Sequence, residues 1–180
     1  MNDATRRFGR YHDDDVATEP LDEIIDPDNF TPRLLALLSN ALVWRESQEL
    51  LTRFDLGTND WRVLSALAVR PGSSATEITD FIGVNKAVVS KSVNRLAGRH
   101  LIVLIDGPRG SRPMFLTRDG ARMHDDMLPV SIHGQEIIVD GMTDEEIHQF
   151  NEHLRRMLWR LRAAQILEGE EPPPAASPAP

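Results

Sequence analysis

The chain contains no cysteine. That absence excludes disulfides, thiolate metal sites, cysteine nucleophiles and cysteine-based redox sensing. No apolar run approaches the roughly 18 to 20 residues needed to cross a bilayer, and the N-terminus is charged where a signal peptide needs an apolar stretch; the expectation is a soluble, cytoplasmic protein without a membrane partner. No Gly-rich nucleotide loop follows a strand. The histidines (His12, His100, His124, His133, His148, His153) are scattered, so the clustered acids, bases or ligands of an enzyme are missing. His148 and His153, five residues apart, fall about 140° from one another on a helix and cannot readily share one metal there. No cofactor is implied.

What is present points to one core of ordinary domain size with tails, since 180 residues at 41% hydrophobic content leave little for a second independent domain. The net charge of -8 opposes nucleic acid as a partner, but its distribution does not. From Gly83 to Arg122 there are eight basic residues (Lys86, Lys91, Arg95, Arg99, Arg109, Arg112, Arg118, Arg122) against Asp106 and Asp119, a net of +6. From Met1 to Phe30, nine acids face three arginines, a net of -6. Residues 1–29 therefore read as an acidic, partly flexible arm, and the Pro/Ala-rich residues 168–180 as a flexible tail.

Between these ends, apolar periodicity and punctuation lay out a mainly helical chain. Thr31-Pro32 reads as N-cap and first turn of a long helix carrying Leu34, Leu35, Leu38 and Leu42 toward Leu50, Leu51 and Phe54. After Asp55-Leu56-Gly57, Thr58 reads as the cap of a second helix with Trp61, Val63, Leu64 and Leu67, stopping before Pro71-Gly72. Ser74 and Glu77 form a capping-box pattern for a short third helix with Ile78, Phe81 and Ile82 inward. Gly83 ends it, and Asn85 opens a fourth. On that fourth helix Val89, Val93 and Leu96 share one face, and Ala87, Lys91 and Asn94 project from the other.

Leu101–Ile105 and Met114–Leu116 are short aliphatic runs around the turn-rich Gly107-Pro108-Arg109-Gly110-Ser111-Arg112-Pro113, which predicts a hairpin with a basic tip. Thr117 caps a fifth helix, interrupted or kinked at Pro129. After Gly141, Thr143 and Glu146 open the last helix. There Ile147, Phe150, Leu154, Met157, Leu161 and Ala164 alternate spacings of three and four, the seam of helix-on-helix association within or between chains.

Two helices joined by a Gly-containing turn, the second basic on its free face, followed by a hairpin with arginines at its tip, make the order of a winged helix-turn-helix. Asn85, Lys86, Ala87, Val88, Ser90 and Lys91, near the start of the helix that a major groove admits, are the candidates for base and phosphate contacts, joined by Asn94 and Arg95. Arg109 and Arg112 suit the narrow, electronegative minor groove. Ser74 and Thr76 stand where the third helix's N-terminus can hold phosphate.

Leu56-Gly57-Thr58 with Trp61 and Leu64, then Ser90, Val93, Leu96, Leu101-Ile102, and Asp106 through Leu116-Thr117 and Gly120, resemble the multiple-antibiotic-resistance-regulator (MarR) family over roughly Phe30 to Ala164. The resemblance implies a repressor that is an obligate homodimer, with residues 30–54 and 118–167 as dimerisation helices and 55–117 as the winged helix-turn-helix DNA-binding domain. Two-fold symmetry then implies double-stranded DNA with a pseudo-palindromic operator, its half-sites roughly 34 to 36 Å apart. The family's wing usually carries an Asp-Arg-Arg type tip, so here either Arg109 or Arg112 takes the groove position. Members commonly release DNA when a small, often aromatic and anionic inducer fills a crevice beside the dimerisation helices. Arg33, Asn40, Trp44, Arg45, Trp61 and Arg62 offer such a lining, although the two tryptophans also suit plain core packing.

Two other readings stand beside this one: a winged helix that binds protein rather than an operator, with the acidic arm as docking site, and a metal-responsive regulator whose ligands come from several helices. Asp13, Asp14 and Asp15 also suit competition with DNA for the basic helix. Removing the first 29 residues is then expected to raise non-specific DNA affinity in a retardation assay, and unchanged affinity would exclude that competition.

Overall fold

The computed structural model describes residues 16–107 and 110–167. Six helices and one hairpin follow in the order α1 (Thr31–Phe54), α2 (Thr58–Val69), α3 (Ala75–Ile82), α4 (Lys86–Gly98), β1 (Ile102–Leu104), β2 (Met114–Leu116), α5 (Arg118–Val139) and α6 (Asp144–Leu167). By contact the chain divides into two compact units, Met1–Ala41 and Leu42–Pro180, with the boundary inside α1.

In the first unit, residues 16–30 carry no helix or strand, and every α1 side chain up to Ala41 is exposed. The helix begins one residue earlier than its sequence suggests. The Phe30 carbonyl accepts from the N–H groups of Arg33 and Leu34 at 3.0 and 3.2 Å, so Thr31 is the first helical residue rather than the cap.

The second unit is built around Leu50, Leu56, Val63, Leu64, Leu67, Ile78, Val89, Leu96, Met114, Met127 and Val130, all fully buried. A buried set drawn from α1, α2, α3, α4, β2 and α5 makes one core, with α2 at its centre. Leu51, counted with the apolar stripe, instead faces out. Helix α2 also starts differently: Gly57 is its N-cap, with the Gly57 N–H donating to Asp60 Oδ2 at 3.0 Å, and Thr58 is buried within the first turn. A short cap without side chain is adequate because Asp60 supplies the acceptor from within the helix.

Strands β1 and β2 pair antiparallel, Ile102 with Leu116, Val103 with Phe115 and Leu104 with Met114. The chain before α3 extends this ribbon: Gly72 N–H donates to Met114 O at 2.8 Å and Met114 N–H to Ser73 O at 3.0 Å. Gly72 sits at φ +86, a left-handed conformation that favours glycine, with the Phe115 ring against it. The wing is thereby tied to the root of the helix-turn-helix.

Helix α5 runs through Pro129 without interruption. Met127 and Val130, on either side of the proline, are sealed in the core, and that packing holds the turn together despite the missing N–H. At its start, Thr117 Oγ1 accepts from Gly120 N–H (3.0 Å) and donates to His100 O (2.8 Å). Gly120 lies directly on the Leu101 carbonyl: a Cβ there would fall 1.9 Å from that oxygen. Backbone rather than a pliable side chain opposes it, so relief requires the hairpin to move away from α5. Gly120→Ala is expected to destabilise the fold by about 2 kcal/mol or more, read as a lower urea midpoint; an unchanged midpoint would contradict this packing.

Candidate nucleic-acid interface

Helix α4 is divided lengthwise. Val89, Ser92, Val93 and Leu96 are buried, and Lys86, Ala87, Lys91 and Asn94 are exposed. Ala87, Lys91 and Asn94 fall within roughly 60° of one another at 100° per residue, directly opposite the buried stripe. No acid occurs in α4. Val88 and Ser90 are half-buried at the margins of the free face.

Several candidate residues have their polar atoms engaged within the chain. Asn85 is the N-cap of α4, its Oδ1 accepting from Val88 N–H at 2.9 Å, so the carbonyl half of its amide serves the helix rather than a base. Ser74 caps α3, accepting from Glu77 N–H at 3.3 Å while its own N–H and hydroxyl donate to Glu77 Oε2 at 2.7 Å each. The Glu77 carboxylate thus occupies the α3 N-terminus where a phosphate was expected, and Thr76 beside it is exposed.

Arg95 departs furthest from expectation. Its guanidinium donates to the Asp55 carbonyl and pairs with the Asp55 carboxylate at 3.2 Å and with buried Asp60 at 3.6 Å. Arg99 adds donation to the Phe54 and Asp55 carbonyls, both at 3.0 Å. Asp55 has φ +52, a left-handed conformation that aspartate tolerates at a cost. Arg95 on α4 and Arg99 at its C-cap therefore hold the α1–α2 corner, and Arg95 acts as a structural clamp. Nothing in the local sequence signals this, because partners forty residues apart have no periodicity.

At the wing, Ile105 N–H donates to Pro113 O at 3.0 Å and Gly107 N–H to Ser111 O at 2.8 Å. Arg112 is exposed there. Arg109 and the acids Asp13, Asp14 and Asp15 lie outside the described residues.

The effector candidates separate. Arg45, Trp61 and Arg62 line a cavity of about 270 Å³ together with Leu42, Glu46, Val130, Ser131 and Gly134. Trp61 is buried and stacks on His124, centroids 5.2 Å apart. Arg45 pairs with Glu49 at 3.6 Å, and Ser131 donates to Glu46. Trp44 is 69% exposed, which excludes core packing for it in the single chain. Arg33 and Asn40 belong to the first unit, where Arg33 donates to the Pro27 carbonyl at 2.8 Å. Among the described residues no group of three or more His, Asp or Glu side chains converges as a metal site would require, and no helix is long and apolar enough to cross a membrane.

The α6 seam is unburied in the single chain. Ile147 and Leu154 are half-covered, and Phe150, Met157 and Leu161 are exposed. The helix begins, as its sequence indicates, with a capping box in which Glu146 Oε2 accepts from Thr143 N–H and Oγ1 at 2.8 Å each.

Hydrogen bonds from Ser74 hold Glu77 below its ordinary value of 4.5, the backbone N–H contributing most. A depressed carboxylate stabilises the fold above its unfolded pKa, and that contribution disappears as pH falls through the folded value. The gap in urea midpoint between the wild type and Glu77→Ala is therefore expected at pH 7 and should shrink below about pH 4; a gap independent of pH would refute the ionised cap.

Residues 54–113 match the MarR family. No curated protein matches the chain. Solved structures share its fold. A MarR-family transcriptional regulator from Silicibacter pomeroyi is 21% identical, with TM-score 0.71, over 78% of this chain and 97% of that one. A MarR family regulator from Listeria monocytogenes, complexed with 26mer DNA, is 14% identical, with TM-score 0.71, over 79% and 97%. The PcaV transcriptional regulator from Streptomyces coelicolor, in complex with its natural ligand, is 20% identical, with TM-score 0.64, over 75% and 96%.

Proposed function

We propose, from the match of residues 54–113 to the MarR family, that the protein is a dimeric, sequence-specific DNA-binding transcriptional regulator, a repressor that acts in the cytoplasm by binding rather than by catalysis. The observation that carries this reading is the acid-free outer face of α4, where Lys86, Ala87, Lys91 and Asn94 are exposed while the opposite stripe is locked in the core. A rigid helix with small and cationic residues outward fits a major groove. Ala87 allows close approach, and Lys91 reaches base edges or phosphate. Arg112, on the wing, suits the neighbouring minor groove. The fold is shared with the Listeria regulator that was crystallised on DNA.

Dimerisation is supported by α6, whose apolar seam is left largely uncovered by the described residues: Met157 is 46% and Leu161 59% exposed. An amphipathic stripe of this length left in water invites a second helix. A homodimer presents two α4 helices and so selects a pseudo-palindromic operator.

The cavity beside Trp61 supports release by a small inducer. At about 270 Å³ it approaches the ~300 Å³ lower end of small-molecule sites. Arg45 and Arg62 favour an anion, Trp61 an aromatic ring. No cofactor is required for DNA binding in this reading.

Retardation of DNA upstream of the protein's own gene, lost steeply as salt rises, tests the function and separates it from a protein-binding winged helix. Lys91→Ala is expected to weaken that complex on the order of tenfold, with thermal unfolding unchanged. Wild-type affinity in the variant would remove α4 from the interface.

A further inference from the structure

Lysine occurs twice in the chain, at Lys86 and Lys91, against eighteen arginines. Both lysines lie on α4, five residues and about 7.5 Å of helix rise apart, and both are exposed. We propose that Lys86 and Lys91 are modification sites, acetylated at Nζ by an acyl phosphate, so that lysine acylation of this protein falls on α4 alone.

Both amines are available for this chemistry. Among the described residues neither lysine forms an ion pair. Helix α4 contains no acid. The residues one turn from Lys91 are Ala87, Val88, Asn94 and Arg95, and those of Lys86 within the helix are Val89 and Ser90, so no carboxylate holds either ammonium from within α4. In the transfer, the unprotonated Nζ attacks the acyl carbonyl carbon. The C–N amide bond forms as the C–O bond to phosphate breaks, phosphate leaves with the electron pair, and one proton passes from nitrogen to solvent. The amide is neutral, so each acetylation removes one positive charge.

The cations that support the fold are of the other kind. Arg95 and Arg99 hold the corner at Asp55, and Arg53 pairs with Glu49. A guanidinium remains protonated and offers no free electron pair for attack. Acylation therefore strips charge from α4 while the α1–α2 corner keeps its clamp, and the buried stripe of Val89, Ser92, Val93 and Leu96 is untouched. Charge and scaffold are separated by the choice between two basic residues. The effect on DNA rests on the function proposed above; the modification itself does not, so it is mapped first without DNA.

The test incubates the full-length wild type with acetyl phosphate and maps the products by tandem mass spectrometry, with free Nα-acetyl-lysine at equal concentration as the comparator. Acetylation is expected at Lys86 and Lys91, each at a rate within about tenfold of the comparator's, with the urea midpoint unchanged. Slower reaction at both lysines, or a lowered midpoint in the product, would overturn the proposal. In retardation assays the acetylated protein is expected to bind DNA on the order of tenfold more weakly than untreated protein. The slope of log affinity against log salt should become shallower by about 0.9 for each lysine that had neutralised a phosphate. Equal affinity before and after acetylation would overturn the regulatory consequence. Treatment of the double variant Lys86→Arg/Lys91→Arg is expected to leave that variant's own affinity unaltered; a loss there would assign the effect to another group and overturn it too. Absence of any complex with untreated protein would refute the function proposed above, while the mapped rates still decide the modification.

Discussion

The orientation of α4 is the constraint on which the remainder of the structure depends. Its buried stripe of Val89, Ser92, Val93 and Leu96 leaves one rotational setting in which all four positions are covered. A turn of the helix in either direction would bring Lys91 or Asn94 into the core without a partner, at a cost of several kcal/mol for the charge alone. Arg95 and Arg99 add a second restraint along the helix by gripping the corner at Asp55. The outer face is thus defined by what the inner face cannot give up.

The polar inventory of the helix-turn-helix then divides by geometry. Ser74, Asn85 and Arg95 look like surface residues suited to phosphate or base, yet the Ser74 hydroxyl and the Asn85 carbonyl oxygen are committed to caps and the Arg95 guanidinium to a corner. Removing such a group costs stability before it costs recognition. Lys86, Lys91 and Asn94 carry no such commitment among the described residues. In a chain of net charge -8, Lys86, Lys91 and the wing's Arg112 form the surface on which, in the proposed function, a duplex gains by releasing counterions.

Much of this architecture was legible in the sequence because local chemistry sets it. The Ser74–Glu77 and Thr143–Glu146 boxes, the αL glycine at 83, the cap at Thr117 and the two-sided pattern of α4 are all written within a few residues. The misplacements have equally local causes. Thr31 and Thr58 resemble caps, but at each site the preceding residue's carbonyl already accepts the first helical bonds. Pro129 resembles a break, but packing of its neighbours overrides a single missing donor. What could not be read was long-range: the Arg95 clamp and the burial of Trp61 against the exposure of Trp44 both arise from segments brought together only by folding.

In the proposed function the dimer and the outer face of α4 depend on one another. Among the described residues a single chain leaves the α6 seam uncovered and carries one α4 helix, whereas a symmetric pair would cover the seam and present two. Hydroxyl-radical footprinting of the full-length protein on the DNA upstream of its gene measures this directly. Two equivalent protected patches about one helical turn apart, roughly 10 base pairs centre to centre, are the predicted result. A single asymmetric patch, or uniform protection with no preferred site, would contradict the account.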